Sequence, residues 1–286
     1  MISEARVLEL QRIALQLRRD VVEMVGIGRP GHLGGACSMA DMVAALYFHV
    51  MRINTEDPKD PERDRFLLSK GHVTLIQYAA LAELGYFPRS DFKDIKAIGC
   101  HLQGHPDLKT PGIEAVTGSL GQGLSIGLGM ALAFRTEARP NRVFVAMGDG
   151  ELSEGQLWEA AMAARKFAVD NLVGIIDCNK IQASGPTCEV FDIPDIPQKW
   201  EAFGWHVIRI DGHDIREIVA ALEEAETIKG RPTAIVAQTV KGKGISFAEN
   251  NPAFHNGVLT EELYQVAMAD LDALGEEILK SERTVL

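Results

Sequence analysis

Residues 143–160 of this chain read VFVAMGDGELSEGQLWEA. The first five are a continuous apolar run, which is typical of a strand buried on both faces of a parallel sheet. The Gly-Asp-Gly turn at 148–150 follows, and its glycines allow the backbone to approach a ligand closely. Ser153 and Gln156 then have the spacing of a capping box, which predicts a helix from about Glu154. The segment therefore predicts a strand, a ligand-facing turn and a helix in direct succession.

The rest of the chain continues this alternation of apolar runs and helical patterns. Strands are predicted at residues 65–68, 143–147, 172–176, 205–210 and 234–237. Helices are predicted at 3–25 with Ser3 as N-cap, from Ser38 or Asp41 to Phe48, and at 74–85, 124–135, 153–168, 214–229 and 260–280. Strands joined by crossover helices form parallel sheets that are covered on both faces. We therefore expect an α/β fold of three layers, α/β/α, around a mainly parallel sheet.

The domain organisation follows from length and from the absence of dividing segments. The 286 residues contain no internal repeat, low-complexity segment or linker. At roughly 150 residues per domain, this length allows either two domains or one large α/β domain. We expect a single domain over residues 1–286, in which 260–286 form a C-terminal helical tail.

Composition excludes several classes of function. Lys and Arg number 29 against 40 Asp and Glu, a net charge of −11, whereas nucleic-acid binding draws on clustered basic residues. No apolar run approaches the ~18 residues that a membrane span needs, and residues 1–6 lack the layout of a signal peptide. Four widely spaced cysteines suit a reducing compartment. We expect a cytoplasmic protein that binds neither nucleic acid nor membrane.

Two polar residues follow neighbouring strands and define the first candidate site. Asp149 comes directly after the strand at 143–147, and Asn179 follows the strand at 172–176. The carboxyl ends of parallel strands share one edge of the sheet, where ligands bind. Carboxylate, amide and carbonyl oxygens are the ligands that Mg²⁺ or Ca²⁺ takes, and one carboxylate leaves positions open for phosphate oxygens. The pattern predicts a metal-bridged diphosphate site.

These motifs resemble those of a known family. Gly-Asp-Gly at 148–150 followed by Asn179 resembles the thiamine-diphosphate motif, and residues 150–160 are similar to its transketolase version. Further segments that resemble transketolases follow in the family's order: GHLGG at 31–35, RDRFLLSKGH at 63–72, GHP at 104–106, TGSLGQG at 117–123, KGKG at 241–244 and HNG at 255–257. The resemblance implies the thiamine-diphosphate-binding fold of the diphosphate domain.

The resemblance also implies roles for individual residues. The metal ion, Mg²⁺ or Ca²⁺, would be held by Asp149, Asn179 and the backbone carbonyl of Ile181. Thiamine diphosphate would be bound by His72, Gly118, Ser119, Leu120, Asp149, Gly150, Glu154, Asn179 and His255. Catalytic roles fall to His32, His72, His105 and His255, with Asp177 supporting His72. Glu154 resembles an acid at the family's dimer interface, and Ser119 stands where many transketolases have proline.

The implied activity is transfer of a two-carbon ketol unit from a ketose phosphate to an aldose phosphate. Histidines suit this reaction because their pKa lies near working pH, so they can move hydroxyl protons in both directions. In the family, a pyrimidine-binding domain with the glutamate that activates the cofactor follows the segments matched here, so the resemblance implies that these residues would come from outside the 286 residues. The resemblance implies a partner chain carrying the pyrimidine and C-terminal domains, self-association through the diphosphate domain, and an α₂β₂ assembly.

Other interpretations of the same residues remain open at this point. The α subunit of a 2-oxo-acid dehydrogenase shares the fold and cofactor, although the GHLGG loop and the segment 154–160 favour a transketolase. A non-catalytic cofactor-binding subunit would keep the same motifs. Gly26 to Gly31 match G-x-G-x-x-G without the strand that a dinucleotide site requires. Cys100, His101 and His105 hint at zinc, and KGKG at 241–244 suits either a phosphate contact or a solvated turn.

Overall fold

The computed structural model describes residues 2–285. Its main sheet has five parallel strands in the order β2-β3-β4-β6-β5, and β1 pairs antiparallel with β7 beside it. The strands within these residues are β1 (Pro30–Gly31), β2 (Arg65–Leu68), β3 (Val143–Gly148), β4 (Leu172–Cys178), β5 (His206–Asp211), β6 (Thr233–Gln238) and β7 (Gly257–Val258). Each strand predicted for the sheet is present within two residues of its expected ends.

The helices also follow the sequence pattern closely. They are α1 (Glu4–Val25), α2 (Leu33–Ser38), α3 (Ala40–Ala45), α4 (Leu75–Glu83), α5 (Gly123–Thr136), α6 (Gly155–Lys166), α7 (Thr187–Val190), α8 (Ile196–Ala202), α9 (Ile215–Thr227) and α10 (Glu261–Val285). A π-helical turn at Leu46–Val50 extends α3, and 3₁₀ turns occupy Gly71–Val73, Arg89–Asp94, Gly150–Ser153 and Pro252–Phe254. Ser3 caps α1 as predicted, because its side chain accepts the Arg6 N–H.

Side chains of β3 show why the sheet is covered on both faces. Val143, Val145 and Met147 pack into a core with α5 and α6. Phe144 and Ala146 point the other way and join a core built with α1, α3, α4 and α9. Successive strand residues face opposite sides of a sheet, so a continuous apolar run supplies two cores at once. This confirms the three-layer α/β/α fold.

One local prediction is wrong. The capping box does not form: Glu154 is the N-cap of α6, Ser153 Oγ donates to the Gly150 carbonyl, and Gln156 Nε2 donates to Ser125 Oγ. Ser153 is the last residue of the 3₁₀ turn Gly150–Ser153, so it lies before the N-cap of α6 and does not cap the helix.

The helix predicted from Ser38 or Asp41 is α3, which begins at Ala40. The separate short helix α2, over Leu33–Ser38, was not predicted. Its glycines pack closely: a Cβ on Gly35 would lie 2.6 Å from Val73 Cγ1. Helix α2 therefore contains glycine because a neighbouring segment leaves no room for a side chain, and this contact overrides the low helix propensity of glycine.

The predicted C-terminal tail is helix α10, which packs along α1. Ala267 and Leu271 are fully buried there, and Arg19 pairs with Asp272 at 2.6 Å. Within residues 2–285, no helix combines the length and apolar character that a membrane crossing requires.

Candidate active site

A cavity of about 430 Å³ opens at the carboxyl edge of β3 and β4. The register pairs Gly148 with Asp177, so the turn after β3 lies beside the end of β4. The cavity gathers most of the predicted site residues: His32, His72, His105, Gly118, Leu120, Asp149, Gly150, Glu154, Asn179, Ile181 and His255. Two predicted residues are not part of its lining, because Ser119 is exposed and Asp177 is fully buried beneath it.

Asp149 and Asn179 offer the oxygen atoms expected of a metal site. Asp149 accepts the Gly150 N–H at 2.8 Å and the Lys180 N–H at 2.5 Å, which ties the turn after β3 to the end of β4. Asn179 donates through Nδ2 to Asp177 at 2.9 Å, and this contact fixes which end of its amide is the oxygen. Burial and the nearby Asp177 carboxylate raise the pKa of Asp149 to about 6. The donor set fits a hard cation such as Mg²⁺ or Ca²⁺.

Ile181 has a second partner that the sequence did not indicate. Its carbonyl oxygen accepts a hydrogen bond from Lys241 Nζ at 2.7 Å. A carbonyl oxygen has two lone pairs, so this contact is compatible with one further ligand. The predicted metal role of Ile181 therefore remains a prediction, and an ammonium group stands directly beside that oxygen.

Asp177 is fully buried below the cavity, and its carboxylate accepts hydrogen bonds from several residues. Burial opposes its ionisation, but the Lys70 ammonium and hydrogen bonds from Lys70, Thr239 and Ser38 hold its pKa below the usual value. Within residues 2–285, none of the hydrogen bonds found for Asp177 reaches His72. The support of His72 by Asp177 therefore remains a prediction. The contacts found orient Asn179 and pair Asp177 with Lys70.

Four histidines converge on the cavity. Ring centroids of His32 lie 5.0 Å from His72, 5.4 Å from His255 and 6.5 Å from His105. Burial, followed by the charges of neighbouring groups, lowers the pKa of His32 and His255 to about 4 and that of His72 to about 2. These three imidazoles are therefore neutral near pH 7, each with one nitrogen that donates and one that accepts.

Lys70 and Lys241 are cavity residues for which the sequence indicated no definite role. Both are almost fully buried and line the cavity. Lys241 Nζ lies 2.9 Å from His255 Nδ1, and burial, with the Lys70 charge, lowers the pKa of Lys241 to about 8. An ammonium can only donate, so His255 Nδ1 is the acceptor and its proton belongs on Nε2. For Lys241, the KGKG motif at 241–244 was the sequence signal, with a phosphate contact or a solvated turn as its two interpretations. The solvated turn is wrong for Lys241, because this side chain is buried.

Gly118 shapes the wall of the cavity. Its φ of 136° lies in a region that side-chain-bearing residues rarely adopt, and a Cβ there would approach His105 Cδ2 to 2.5 Å. The absent side chain leaves room for both the histidine and a ligand in the cavity.

The zinc interpretation has no support in the described part of the chain. His101 Nε2 contacts Asp91 at 3.1 Å, and no group of three or more His, Cys, Asp or Glu residues within 2–285 is arranged to hold a metal. The Asp149 and Asn179 site is of another kind, because it combines one carboxylate with amide and backbone oxygens.

Comparison with known proteins places this geometry in a family. Residues 9–272 match the family model of the transketolase, thiamine diphosphate binding domain. The chain is 45% identical over 269 residues to the 6-deoxy-6-sulfo-D-fructose transketolase subunit SqwG of Clostridium sp. (strain MSTE9), covering 94% of this chain and 98% of that protein. It is 38% identical to one subunit of the apulose-4-phosphate transketolase of Phocaeicola vulgatus, covering 97% of this chain and 98% of that subunit.

A solved structure shows the same fold in a longer protein. Transketolase from Campylobacter jejuni superposes with a TM-score of 0.86 at 30% identity, covering 95% of this chain and 43% of that one. The chain therefore belongs to the transketolase family, as its thiamine diphosphate binding domain. These matches confirm the prediction of an N-terminal transketolase subunit instead of a 2-oxo-acid dehydrogenase α subunit.

Proposed function

We propose that this chain forms the diphosphate half of a two-chain transketolase, which transfers a two-carbon ketol unit from an anionic ketose to an aldose. One observation carries the proposal. A single cavity places three neutral, clustered histidines beside the oxygen atoms of Asp149 and Asn179. Such a cavity can bind a metal diphosphate at one end and move hydroxyl protons at the other.

The cofactor end of the cavity would hold thiamine diphosphate. Asp149, Asn179 and the Ile181 carbonyl would hold Mg²⁺ or Ca²⁺, and the buried ammonium groups of Lys70 and Lys241 supply positive charge for the diphosphate. When bound, thiamine diphosphate supplies the carbon nucleophile and electron sink that cleavage beside a carbonyl requires.

The histidine end of the cavity would hold the sugar. Neutral imidazoles can accept a proton from one hydroxyl and return a proton to another, which ketol transfer requires in both directions. His32, His105 and His255 would make these contacts, while the Lys70 and Lys241 charges contribute to the low pKa of His72. The Lys241 contact to Nδ1 leaves the Nε2 proton of His255 available to a substrate oxygen.

A partner chain would complete the site. The relatives that match over nearly their whole length are named as subunits, whereas the chain spans less than half of the Campylobacter enzyme. Three exposed apolar residues lie near the cavity: Ile27, Val116 and Val258. Val116 is two residues from Gly118, Val258 pairs with Pro30 close to His32, and Ile27 bridges to Leu259 next to Val258. Their side chains would give a pyrimidine-domain partner an apolar surface. Met162 of α6 and its C-cap residue Phe167, each 51% exposed, suit self-association through this helix, whose N-cap is Glu154.

The proposal extends to the assembly and its location. Two copies of this chain joined through the α6 surface and two partner chains would give α₂β₂. Four free cysteines are consistent with a reducing cytoplasm.

Both relatives quoted act, by their names, on sugars with an anionic end, a sulfonate or a phosphate, and we extend that chemical class to the substrate of this chain.

Reconstitution tests the proposal. The chain would be purified alone and together with the product of the adjacent gene, and both samples assayed against a panel of ketose donors and aldose acceptors. Ketol transfer is expected only from the complex, with an α₂β₂ mass by analytical ultracentrifugation. Full activity of the isolated chain would contradict the two-chain proposal. A complex that binds thiamine diphosphate yet transfers no unit from any donor would indicate a non-catalytic subunit.

A further inference from the structure

Glu151 is a buried carboxylate that the proposed mechanism does not use. It lies in the 3₁₀ turn Gly150–Ser153 between β3 and α6, with 2% of its surface exposed. No cation pairs with it among the ion pairs found in residues 2–285. A buried carboxylate without an ion-pair partner is costly unless hydrogen bonds satisfy it, so its hydrogen-bond donors define its role.

Three segments of the chain meet at this carboxylate. Oε1 accepts the Gly121 N–H at 2.8 Å and also the Ser69 hydroxyl, while Oε2 accepts the Gly148 N–H at 3.1 Å. The same Ser69 oxygen accepts the Gly123 N–H at 3.1 Å. One side chain therefore satisfies backbone and hydroxyl donors from three separate parts of the sequence.

Each segment continues directly into the wall of the cavity. Ser69 precedes Lys70 and the 3₁₀ turn of His72, Gly121 follows Leu120, and Gly148 precedes Asp149. We infer that Glu151 is a positioning residue, whose carboxylate holds these three segments at the spacing that binds the metal diphosphate. The inference rests on the proposed cofactor site. Glu151 itself lines the cavity, but its positioning role comes from its hydrogen bonds to the three segments.

Substitution by glutamine isolates this role. Glu151→Gln keeps the size of the side chain and one oxygen acceptor. The second oxygen becomes an NH₂ group, which cannot accept from a backbone N–H. One buried donor is then left without a partner, and a hydrogen bond to a charged acceptor is lost. The three segments should separate slightly without loss of the fold.

The matched control is Glu223→Gln, the same change on the exposed face of α9, away from the cavity. Thiamine diphosphate with Mg²⁺ is titrated by calorimetry into the wild-type complex with the partner chain and into both variant complexes. We expect the Kd for thiamine diphosphate to rise about tenfold or more in Glu151→Gln and to stay within about twofold in Glu223→Gln. At saturating cofactor, kcat of Glu151→Gln should stay within about threefold of wild type.

An unchanged Kd in a folded Glu151→Gln complex would overturn the inference, as would a large loss of kcat with an unchanged Kd. If Glu151→Gln does not fold, Ser69→Ala is titrated in its place, because it removes one contact and keeps the carboxylate. A Kd raised severalfold then supports the inference, and an unchanged Kd overturns it. Failure of the wild-type complex to bind thiamine diphosphate would instead contradict the proposed function.

Discussion

Burial sets the protonation of the histidines in the cavity. His72 is surrounded by His32, His255, Lys70 and Lys241, and both its burial and these groups lower its pKa to about 2. A histidinium in this place would add positive charge beside two ammonium groups, so the neutral form is favoured across the physiological range. Neutral rings are what proton exchange with sugar hydroxyls needs, because a doubly protonated ring cannot accept.

Substitution of His32 or His105 should lower the rate of ketol transfer and leave the binding of the cofactor nearly unchanged. His32→Ala and His105→Ala remove groups that would face the sugar, while the oxygen atoms of Asp149 and Asn179 remain. Loss of general acid–base catalysis typically costs about 10²–10⁴ in rate. We expect kcat of the complex to fall by about 10² or more, with the Kd for thiamine diphosphate changed less than about threefold. Steady-state kinetics and calorimetry give the two numbers.

Asn141→Ser is the control for general effects on stability. Asn141 lies just before β3, at the amino edge of the sheet and so opposite the cavity. The opposite pattern, a weakened Kd with a preserved kcat, would place His32 and His105 at the cofactor end of the cavity.

The candidate site could be predicted from sequence wherever a residue type is itself unusual. Histidine beside glycine motifs and aspartate at a strand end are such signals, and the cavity brings most of them together. Lys70, Lys241 and Glu151 carry no comparable signal, because lysine and glutamate are ordinarily exposed. Their burial arises from contacts between segments far apart in sequence, such as Lys70 with Asp177 and Lys241 with Ile181.

At the scale of elements, the period of apolar residues predicted nearly all of the sheet and the longer helices. The failures are short elements whose formation depends on a neighbour. Helix α2 has two glycines in its first turn, and Val73 lies so close to Gly35 that a side chain there would clash. The predicted capping box is absent because Ser153 belongs to the 3₁₀ turn after Asp149, where its hydroxyl donates to the Gly150 carbonyl.

A buried ion pair joins several elements. Asp41 of α3 accepts two hydrogen bonds from Arg18 of α1, at 3.1 and 2.5 Å, and one from His213 Nδ1 at 2.8 Å. His213 Nε2 in turn accepts the Val240 N–H, next to Lys241. Burial opposes ionisation of Asp41, but Arg18 and His213 lower its pKa well below the usual value.

We expect Asp41→Asn to destabilise the protein strongly, because it leaves the Arg18 guanidinium buried without a counterion. Removing one partner of such a pair costs about 3–5 kcal/mol. The native pKa of Asp41 is lower than its unfolded value, so its stabilising effect is complete at neutral pH and is lost as pH falls below about 4. The difference in unfolding free energy between wild type and variant should therefore be constant from pH 7 to 5 and shrink below pH 4.

Urea unfolding across this pH range makes the measurement, and Asp272→Asn is its control. Asp272 pairs with Arg19 of the same helix α1 but is 69% exposed, and exposed pairs contribute about 0–1 kcal/mol. Equal effects of the two substitutions on the free energy of unfolding would show that the buried Arg18–Asp41 pair stabilises the protein no more than an exposed pair.

At the scale of the whole molecule, the sheet separates two cores and leaves the cavity at its carboxyl edge. Loops from both layers reach that edge: His32 and His255 come from the side of α2 and β7, and Gly118 and Glu154 from the side of α5 and α6. The cavity therefore spans the layers of the fold, and a ligand bound there should stabilise the domain as a unit.

Metal and cofactor together should raise the thermal stability of the chain, and neither should do so alone. A ligand at 100 times its Kd stabilises the native state by about 2.7 kcal/mol, which corresponds to a rise in Tm of roughly 4–5 °C for a domain of this size. Differential scanning calorimetry of the complex with thiamine diphosphate and Mg²⁺ should show this rise, and EDTA should reverse it. Asp149→Ala should abolish the rise, whereas Asp272→Asn should preserve it. A rise that survives EDTA, or that is undiminished in Asp149→Ala, would contradict the assignment of Asp149 as the residue that links the metal to the diphosphate.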